Sequence, residues 1–426
     1  MNILFISSRD IDWSAGLARD FVNSLKMAMH NVEFLTTYAF DGMDETMYSV
    51  YQERRKYEYF STEKVVKRSF LKRVFSLTPT KIYHKIFFPN TEGRYIVLDD
   101  EKKPVVPISD LLNAIPQRKY DYVITLFWDG MLSSYSLKAI YEKLKCPIHI
   151  FSVDMFPVTG GCSNIGSCKN FEKECRNCVL ETLGDAHKNF LVKKSVYDSI
   201  DCTIYGNTWM SEFFAKSGLF SNAKKAYLTC PIDEKKFKLL DKNKARKRFG
   251  LSEDAFVLFC GAADFKRPRK GFSYLIKSFE YLVKTNRLPK KCILMIAGKE
   301  NPEFNSLIPL EYKNVGFLSV DDLVLAYNAA NVYLSPSIID AGPSMINQSL
   351  MCGTPVVAYH TGVAIDFVKT AETGYKAKYK DYKDFAEGIR IISTINQELL
   401  RNNCRKLAMD NFSLEYYSNR FKKDFS

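Results

Sequence analysis

The apolar positions of this chain form two series of short runs, and each series alternates with segments of helical periodicity. In the first half the pattern predicts strands at residues 3–6, 120–127, 148–153 and 201–205, and helices at 17–30 and 133–145. In the second half it predicts strands at 256–259, 293–297, 314–317, 332–334 and 356–358, and helices at 271–284, 321–330 and 344–351. Short buried strands that alternate with helices of this length are typical of parallel, doubly wound sheets. The sequence therefore predicts two α/β domains.

The segment after the predicted strand at 332–334 has the composition of a ligand-binding turn. It runs through Ser335-Pro336-Ser337 and Asp340-Ala341-Gly342-Pro343, and a helix should follow from Ser344, because proline suits a first helical turn and Gly353 suits a stop. The first N–H groups of that helix, on Ser344, Met345 and Ile346, open at the carboxyl end of a parallel strand. This arrangement predicts an anion-binding site.

Composition narrows the class of protein. A chain of 426 residues, 46% of them hydrophobic, is long enough for two or three domains with substantial cores. It has no apolar run of about 18 residues and does not begin like a signal peptide, so we expect a cytoplasmic protein without a membrane-spanning helix. The net charge of +13 favours a polyanionic partner, and phosphate-bearing ligands or anionic membrane come ahead of nucleic acid because no nucleic-acid module is apparent.

A basic stretch lies between Gln52 and Lys85. Val66, Phe70 and Val74 recur every four residues, and lysines and arginines fill the positions between them, which predicts a basic amphipathic helix at residues 65–75. Such a helix can lie on anionic lipid at the inner face of the plasma membrane, or it can pack on the first domain with its basic face in water. The sequence leaves both interpretations open.

The stretch 333–359 resembles the donor-binding signature of GT-B glycosyltransferases, in particular the retaining family 4. That signature has a Pro-Ser after a strand, two glutamates separated by seven residues, and a Cys-Gly-Thr-Pro before the next strand. The spacing is kept here, with Asp340 and Gln348 at the two glutamate positions. Gln348 can hydrogen-bond ribose hydroxyls as donor and acceptor. The resemblance implies a nucleotide-sugar site on the second half of the chain.

The same resemblance assigns further donor-side roles. A Lys-Gly pair that clamps the diphosphate falls on Lys270-Gly271, while the family's arginine falls on Ala262, so that its role can pass to Arg267 or Arg269. Asp340, Lys270 and Arg269 are the implied catalytic groups. The implied donor-binding positions are Gly16 in the first loop, Arg267, the base-contacting Gly316, Phe317 and Leu318, and Gly342, Ser344, Met345, Ile346 and Gln348.

A second resemblance lies in the loop at 154–178, which is similar to a Thr-Gly-Gly-Cys loop with three further cysteines in bacterial family-4 enzymes of surface-polysaccharide synthesis. It places Trp128, Asp154 and Thr159 on the acceptor side, and the family's histidine falls on Val153. The four cysteines are Cys162, Cys168, Cys175 and Cys178. They can form a structural zinc site, two disulfides or reduced thiols, and nearby Lys169 and Lys173 would favour thiolates.

Together these resemblances imply two Rossmann-like domains facing across a cleft, at 1–230 for the acceptor and 231–405 for the donor, with a linker at 233–248 and a helix at 406–426 that crosses back. The implied activity is sugar transfer from a UDP- or GDP-sugar to a glycan or lipid-linked acceptor, with retention and without a required metal cofactor. Two alternatives are a catalytically degenerate GT-B binding protein and a nucleotide-sugar epimerase of the same fold.

Overall fold

The computed structural model describes residues 1–9, 13–52, 95–96, 100–128, 130–178, 186–262, 265–342 and 344–425. Most of the basic stretch, including the amphipathic helix predicted at 65–75, lies outside the described residues. Within the described ranges, no helix combines the length and the apolarity needed to cross a bilayer.

The first half of the chain builds a parallel sheet. Its strands are β1 (Asn2–Ile6), β2 (Asn31–Tyr38), β3 (Met47–Tyr51), β4 (Tyr95–Ile96), β5 (Tyr122–Thr125), β6 (Ile148–Phe151), β7 (Cys162–Asn164), β8 (Cys202–Gly206) and β9 (Lys224–Tyr227). Seven of these described strands pair in the order β3-β2-β1-β5-β6-β8-β9, while β4 and β7 form a separate antiparallel pair. Residues Ile3, Leu4, Phe5 and Ile6 of β1 are fully buried, as expected for a strand covered on both faces.

Helices cover this sheet. They are α1 (Trp13–Met27), α2 (Ile108–Ala114), α3 (Ser134–Leu144), α4 (Ala186–Tyr197) and α5 (Thr208–Ser217). Local chemistry fixes the ends of α3: Ser133 and Ser136 form a capping box at its start, and Lys145 is left-handed at its end. The predicted helix at 133–145 is therefore confirmed, whereas α1 begins four residues before the predicted position 17.

The second half of the chain also builds a parallel sheet covered by helices. Its strands are β10 (Phe256–Ala262), β11 (Cys292–Gly298), β12 (Tyr312–Gly316), β13 (Val332–Ser335), β14 (Val356–Tyr359) and β15 (Gly374–Ala377). Its helices are α6 (Lys242–Arg248), α7 (Phe272–Lys284), α8 (Pro302–Asn305), α9 (Val320–Ala329), α10 (Ser344–Met351), α11 (Ala364–Phe367), α12 (Tyr382–Thr394), α13 (Gln397–Phe412) and α14 (Leu414–Asp424). The six described strands are all parallel, in the order β12-β11-β10-β13-β14-β15.

The two sheets share a feature that positions the site. In the first, β1 has β2 on one side and β5 on the other; in the second, β10 lies between β11 and β13. The direction in which the chain adds strands reverses at these places, and ligands of doubly wound sheets bind at the carboxyl ends of the strands there. The fold predicts binding at β1/β5 and β10/β13.

The chain passes between the two halves at two places, near Ile232 and near Phe412, and these two segments lie next to each other. The N–H of Ile232 donates to the carbonyl of Phe412 at 2.8 Å, and α14 then returns to the first sheet, where Phe421 stacks on Phe151. This returning helix and the two parallel-sheet domains confirm the predicted fold class. The predicted linker at 233–248 was partly wrong, because its last seven residues form α6, whose buried Arg246 binds the carbonyls of Ala329 and Ala255 at 3.1 and 2.8 Å.

Candidate active site

A cavity of about 450 Å³ lies between the two halves, at the carboxyl ends of the strands named above. The first half contributes Arg9, which follows β1, and Phe127, which follows β5. The second half contributes Gly261 at the end of β10 and Ser335 at the end of β13. Both topological switch points therefore open into one space, where a ligand of one domain meets a ligand of the other.

The charge of this cavity is mainly positive. Among the described lining residues, the cationic side chains are those of Arg9, Arg267, Arg269 and Lys270, and the carboxylates are those of Asp154 and Asp340. Three of the cations lie in the segment that follows β10, on the donor side predicted from sequence. This excess of fixed positive charge suits an anionic ligand.

Asp340 is the centre of the charged cluster. Its Oδ2 lies 2.6 Å from Nζ of Lys270 and 3.6 Å from Nη1 of Arg269. Burial raises the pKa of Asp340, but the Lys270 ammonium and the Arg269 guanidinium outweigh burial and hold that pKa below its ordinary value. The carboxylate is therefore ionised at neutral pH, and the three predicted catalytic residues lie in direct contact.

A close backbone approach fixes this cluster. Residues Pro268–Lys270 form a 3-10 turn that ends at Gly271, where φ is +69°. A Cβ added to Gly271 would lie 1.8 Å from the carbonyl oxygen of Pro336, and the carbonyl of Arg269 accepts the N–H of Ile338 at 2.9 Å. The two loops are thus joined along their backbones, which requires glycine at position 271.

Helix α10 presents its N-terminus to the cavity, and Gly342, Ser344 and Met345 line it. The first N–H groups of a helix have no partner within the helix, so they are available to an anion. Ile346 is buried beneath them at 1% exposure. Gln348 is 3% exposed, and its Oε1 accepts the hydroxyl of Tyr327 at 3.2 Å, so the structure places this predicted ribose-binding side chain inside the domain.

The other predicted donor residues are not among the described residues that line this cavity. Gly16 has φ of +88° within α1, and an added Cβ would meet the guanidinium of Arg19 at 2.5 Å. Gly316 ends β12, two strands away from β10, and Phe317 beside it is 69% exposed. Gly316, Phe317 and Leu318 are not among the described residues that line the cavity, and their contact with the base stays a prediction.

On the acceptor side, the structure separates residues that line the cavity from residues that support it. Asp154 and Phe156 line it, together with Ser163 and Asn164 of β7. Trp128 is buried, and its Nε1 donates to Thr125 Oγ1 at 3.1 Å. The predicted acceptor residues are therefore not all placed to touch a ligand.

Thr159 is also buried and supports the loop. Its Oγ1 accepts the N–H of Cys162 at 2.8 Å and donates to the Cys162 carbonyl at 2.7 Å. Thr159 thus closes a turn of the cysteine loop.

The four-cysteine loop was given three interpretations, and its zinc interpretation stays a prediction. No disulfide joins Cys162, Cys168, Cys175 or Cys178, and the described residues hold no group of three or more His, Cys, Asp and Glu side chains placed to bind a metal. Burial raises the pKa of the Cys175 thiol to about 11, which favours the thiol over the thiolate at this position. Its sulfur instead accepts the N–H of Gly160 at 3.2 Å.

Sequence reasoning missed several residues of the cavity. Arg9 lies in the loop directly after β1, and Ser163 and Asn164 lie on a three-residue strand that has no clear apolar pattern. The position of Arg9 after a predicted core strand was a usable signal, because that end of a parallel strand faces the ligand. Ser163 and Asn164 offered no such signal.

The fold and this site define a class: two Rossmann-like domains with a returning C-terminal helix, and a cationic cleft where the switch points meet, which is the GT-B arrangement. A solved structure, HepE of Anabaena in complex with UDP and glucose, superimposes with a TM-score of 0.60 over 100% of this chain and 99% of its own, at 13% identity. This likeness shows the fold.

Residues 241–409 match the sequence family of glycosyl transferases group 1. The capsular polysaccharide biosynthesis glycosyltransferase CapM of Staphylococcus aureus is 30% identical over 208 residues, which are 45% of this chain and 53% of CapM. The N,N'-diacetylbacillosaminyl-diphospho-undecaprenol alpha-1,3-N-acetylgalactosaminyltransferase of Campylobacter jejuni is 25% identical over 223 residues, 51% of this chain and 56% of that enzyme. The matches thus span about half the length of these curated relatives.

Proposed function

We propose that this chain is a retaining glycosyltransferase that moves a sugar from a nucleotide sugar to a glycan or lipid-linked acceptor in the synthesis of a cell-surface polysaccharide. The observation that carries the proposal is the cluster of Asp340, Lys270 and Arg269 beside the N-terminus of α10, in a cleft shared by two domains. The match of residues 241–409 to the glycosyl transferases group 1 family supports the reaction class. The names of the two relatives support the polysaccharide and the lipid-linked acceptor.

The proposed chemistry follows from where charge develops. When the glycosidic bond to the diphosphate breaks, positive charge grows on the sugar and negative charge on the leaving group. Lys270, Arg267, Arg269 and the first N–H groups of α10 face the side where the diphosphate would lie. Asp340 would face the sugar, hold its hydroxyls and offset positive charge at the anomeric carbon. These cations can offset the negative charge of the leaving diphosphate without a metal ion, so we expect turnover that persists in EDTA.

The acceptor would enter from the first domain, against Asp154 and Phe156. Val153 also lines the cavity, at the position where the family has a histidine. No imidazole therefore approaches the sugar from this position. Activation of the acceptor hydroxyl would fall to a carboxylate or to the departing phosphate.

The test is a two-substrate assay. The protein is incubated with UDP- and GDP-sugars, each with and without a panel of octyl glycosides as acceptor probes, and released nucleotide and extended glycoside are measured. We expect nucleotide release with at least one donor, faster with an accepted glycoside, and product of the same anomeric configuration as the donor by NMR. The Lys270→Ala protein is the matched control. Inverted product would overturn retention alone.

A second function is favoured by two departures, the buried Gln348 and the apolar Val153: a GT-B protein that binds nucleotide sugars without turning them over. Calorimetric binding of UDP or GDP without nucleotide release from any donor would establish that function instead. Turnover above the Lys270→Ala background would exclude it.

We also propose that the basic stretch at 52–85 brings the enzyme to an anionic membrane that carries a lipid-linked acceptor, as its amphipathic sequence supports. The parent should sediment with phosphatidylglycerol vesicles, and replacing Lys67, Arg68, Lys72 and Arg73 by glutamine should abolish this. Sedimentation of the glutamine variant, or of neither protein, would leave a surface helix packed on the first domain.

A further inference from the structure

A buried ion pair outside the cavity holds the loop that forms its acceptor wall. Lys193 on α4 is 0% exposed and Glu101 is 2% exposed, with 3.3 Å between Nζ and Oε1. The same Nζ donates to the carbonyl of Phe156 at 2.6 Å and to the carbonyl of Thr159 at 2.9 Å. The three hydrogens of the ammonium group therefore have three acceptors, and two of them belong to the loop.

Glu101 is held equally well. Its Oε2 accepts the N–H and the hydroxyl of Ser134, each at 2.7 Å, at the N-terminus of α3. A helix N-terminus stabilises a carboxylate through its unpaired N–H groups and its dipole. The position of the Lys193 ammonium is consequently fixed by two helices, α3 through Glu101 and α4 through its own backbone.

The carbonyls bound by α4 belong to one tight turn. Lys193 binds residues 156 and 159, and the hydroxyl of Tyr197, one helical turn further, donates to the carbonyl of Pro157 at 3.1 Å. The N–H of Phe156 donates in turn to Oδ1 of Asp154 at 2.8 Å. Asp154 and the ring of Phe156 line the cavity, and Nζ of Lys193 lies 3.7 Å from the centroid of that ring. The buried ammonium thus touches the back of the wall that the ligand would face.

Stability alone does not account for such a pair. Desolvating two charges costs about as much as their attraction returns, and well-packed apolar residues often stabilise a fold as well or better. An ammonium does what a methionine cannot: it fixes two carbonyl oxygens and an aromatic ring at set distances. A misplacement of about 1 Å in a reacting group can cost about a hundredfold in rate.

We propose that Glu101 and Lys193 are a positioning pair for the acceptor side of the cleft. They set Asp154 and Phe156 for the acceptor sugar and leave the donor site in the other domain unaffected. The kinetic part of this inference rests on the proposed function, whereas its structural part does not.

The test uses two variants that separate position from stability. Lys193→Met removes the ammonium at similar length but leaves the Glu101 carboxylate buried without its cation, so it should lower the melting temperature. Glu101→Gln/Lys193→Met removes both charges and should restore much of that loss. Both variants lack the ammonium group that binds the carbonyls of Phe156 and Thr159. The matched control is Lys194→Met, the next residue on α4, whose side chain is 40% exposed and lies 4.0 Å from Glu174.

Three measurements are made on each full-length protein. Amide exchange of residues 154–162 should be faster by about tenfold in both variants and unchanged in the control. The Kd for UDP or GDP should stay within about twofold, because the donor side is in the other domain. The KM for an accepted octyl glycoside should rise by about tenfold or more, while nucleotide release to water stays close to that of the parent.

The double variant decides the matter. If its exchange at 154–162 and its acceptor KM return to the parent values along with the melting temperature, the pair serves stability and the proposal is overturned. Slow exchange in Lys193→Met would overturn it as well. If the parent transfers no sugar, the proposed function fails separately, and the exchange and nucleotide-binding results still decide the positioning role.

Discussion

Replacing Asp340 by asparagine tests how the charged cluster works, because it keeps the shape of the side chain and removes its charge. In the parent, one carboxylate oxygen lies 2.6 Å from Nζ of Lys270 and 3.6 Å from Nη1 of Arg269, with 14% of the side chain exposed. In the Asp340→Asn protein the two cations face each other without that anion. An incoming diphosphate then no longer competes with a carboxylate for them.

The magnitudes follow from the partners. A hydrogen bond between charged groups contributes about 1.5–3 kcal/mol, so the free energy of unfolding should fall by about 2 kcal/mol at pH 7. Part of this energy becomes available to UDP or GDP, whose Kd should tighten by up to about tenfold, or about 1.4 kcal/mol. Turnover should nevertheless fall by about a hundredfold or more, if the carboxylate offsets charge at the anomeric carbon.

The stability difference should also depend on pH in a defined direction. The pKa of Asp340 is lowered in the folded protein, so its contribution is fully present above the ordinary aspartate pKa of 3.8 and is lost as the pH falls through the lower folded value. Parent and variant should therefore differ in stability at pH 7 and converge in strong acid.

Three assays check this: denaturant unfolding, calorimetry with UDP and GDP, and initial rates with the best donor. Asp322→Asn is the control, since Asp322 also bonds a cation, Arg248 at 2.9 Å, outside the cavity lining. It should change neither nucleotide affinity nor turnover. Weaker nucleotide binding by Asp340→Asn, together with turnover within about tenfold of the parent, would refute the shared-cation reasoning.

Three further predictions test the site and the region between the domains. Lys270→Ala should remain folded and lose turnover equivalent to about 2–4 kcal/mol, and unchanged turnover would remove Lys270 from the diphosphate site. Gly271→Ala should impair folding or turnover far more than Gly218→Ala, because both glycines have φ near +70° but only the former would place a Cβ 1.8 Å from Pro336; melting curves and rates compare them. Burial raises the pKa of Asp20 to about 7, so ionisation of this carboxyl costs the folded parent stability as the pH rises from about 4 to 7. The melting temperature of Asp20→Asn minus that of the parent should therefore be larger at pH 8 than at pH 5.

Features encoded within one short segment were predictable from sequence. The predicted helix at 344–351 matches α10 at both ends, because a proline before it and Gly353 after it are local signals. The five strands predicted in the second half appear within a few residues of their predicted bounds, and four of them are continuous apolar runs, whereas β12 contains Lys313 and Asn314. The strand β15 was missed: Tyr375 and Lys376 in its middle are half-buried, and it is held by pairing with β14.

The site was less predictable where packing between distant segments decides the direction of a side chain. The motif spacing located Gln348 on α10, but contact with Tyr327 of α9 turns its amide into the domain. Trp128 was found next to a core strand, yet it is held by Thr125 behind the cavity. Arg9 directly follows β1, a local signal, but the pairing of β1 with β5, which sets where that strand end opens, is not contained in any local pattern.

This chain departs from the family signature at two side chains and still has the cleft, and one physical reason explains both facts. The cleft is built by backbone relations: strand order at the two switch points, the contact of Gly271 with Pro336, and the N-terminus of α10. None of these depends on whether residue 340 is glutamate or aspartate, because each uses main-chain atoms. The side chains then determine turnover within a cleft that persists without them. The Asp340→Asn protein should for this reason still bind nucleotide when it no longer transfers sugar, and loss of both properties together would mean that the carboxylate holds the cleft itself.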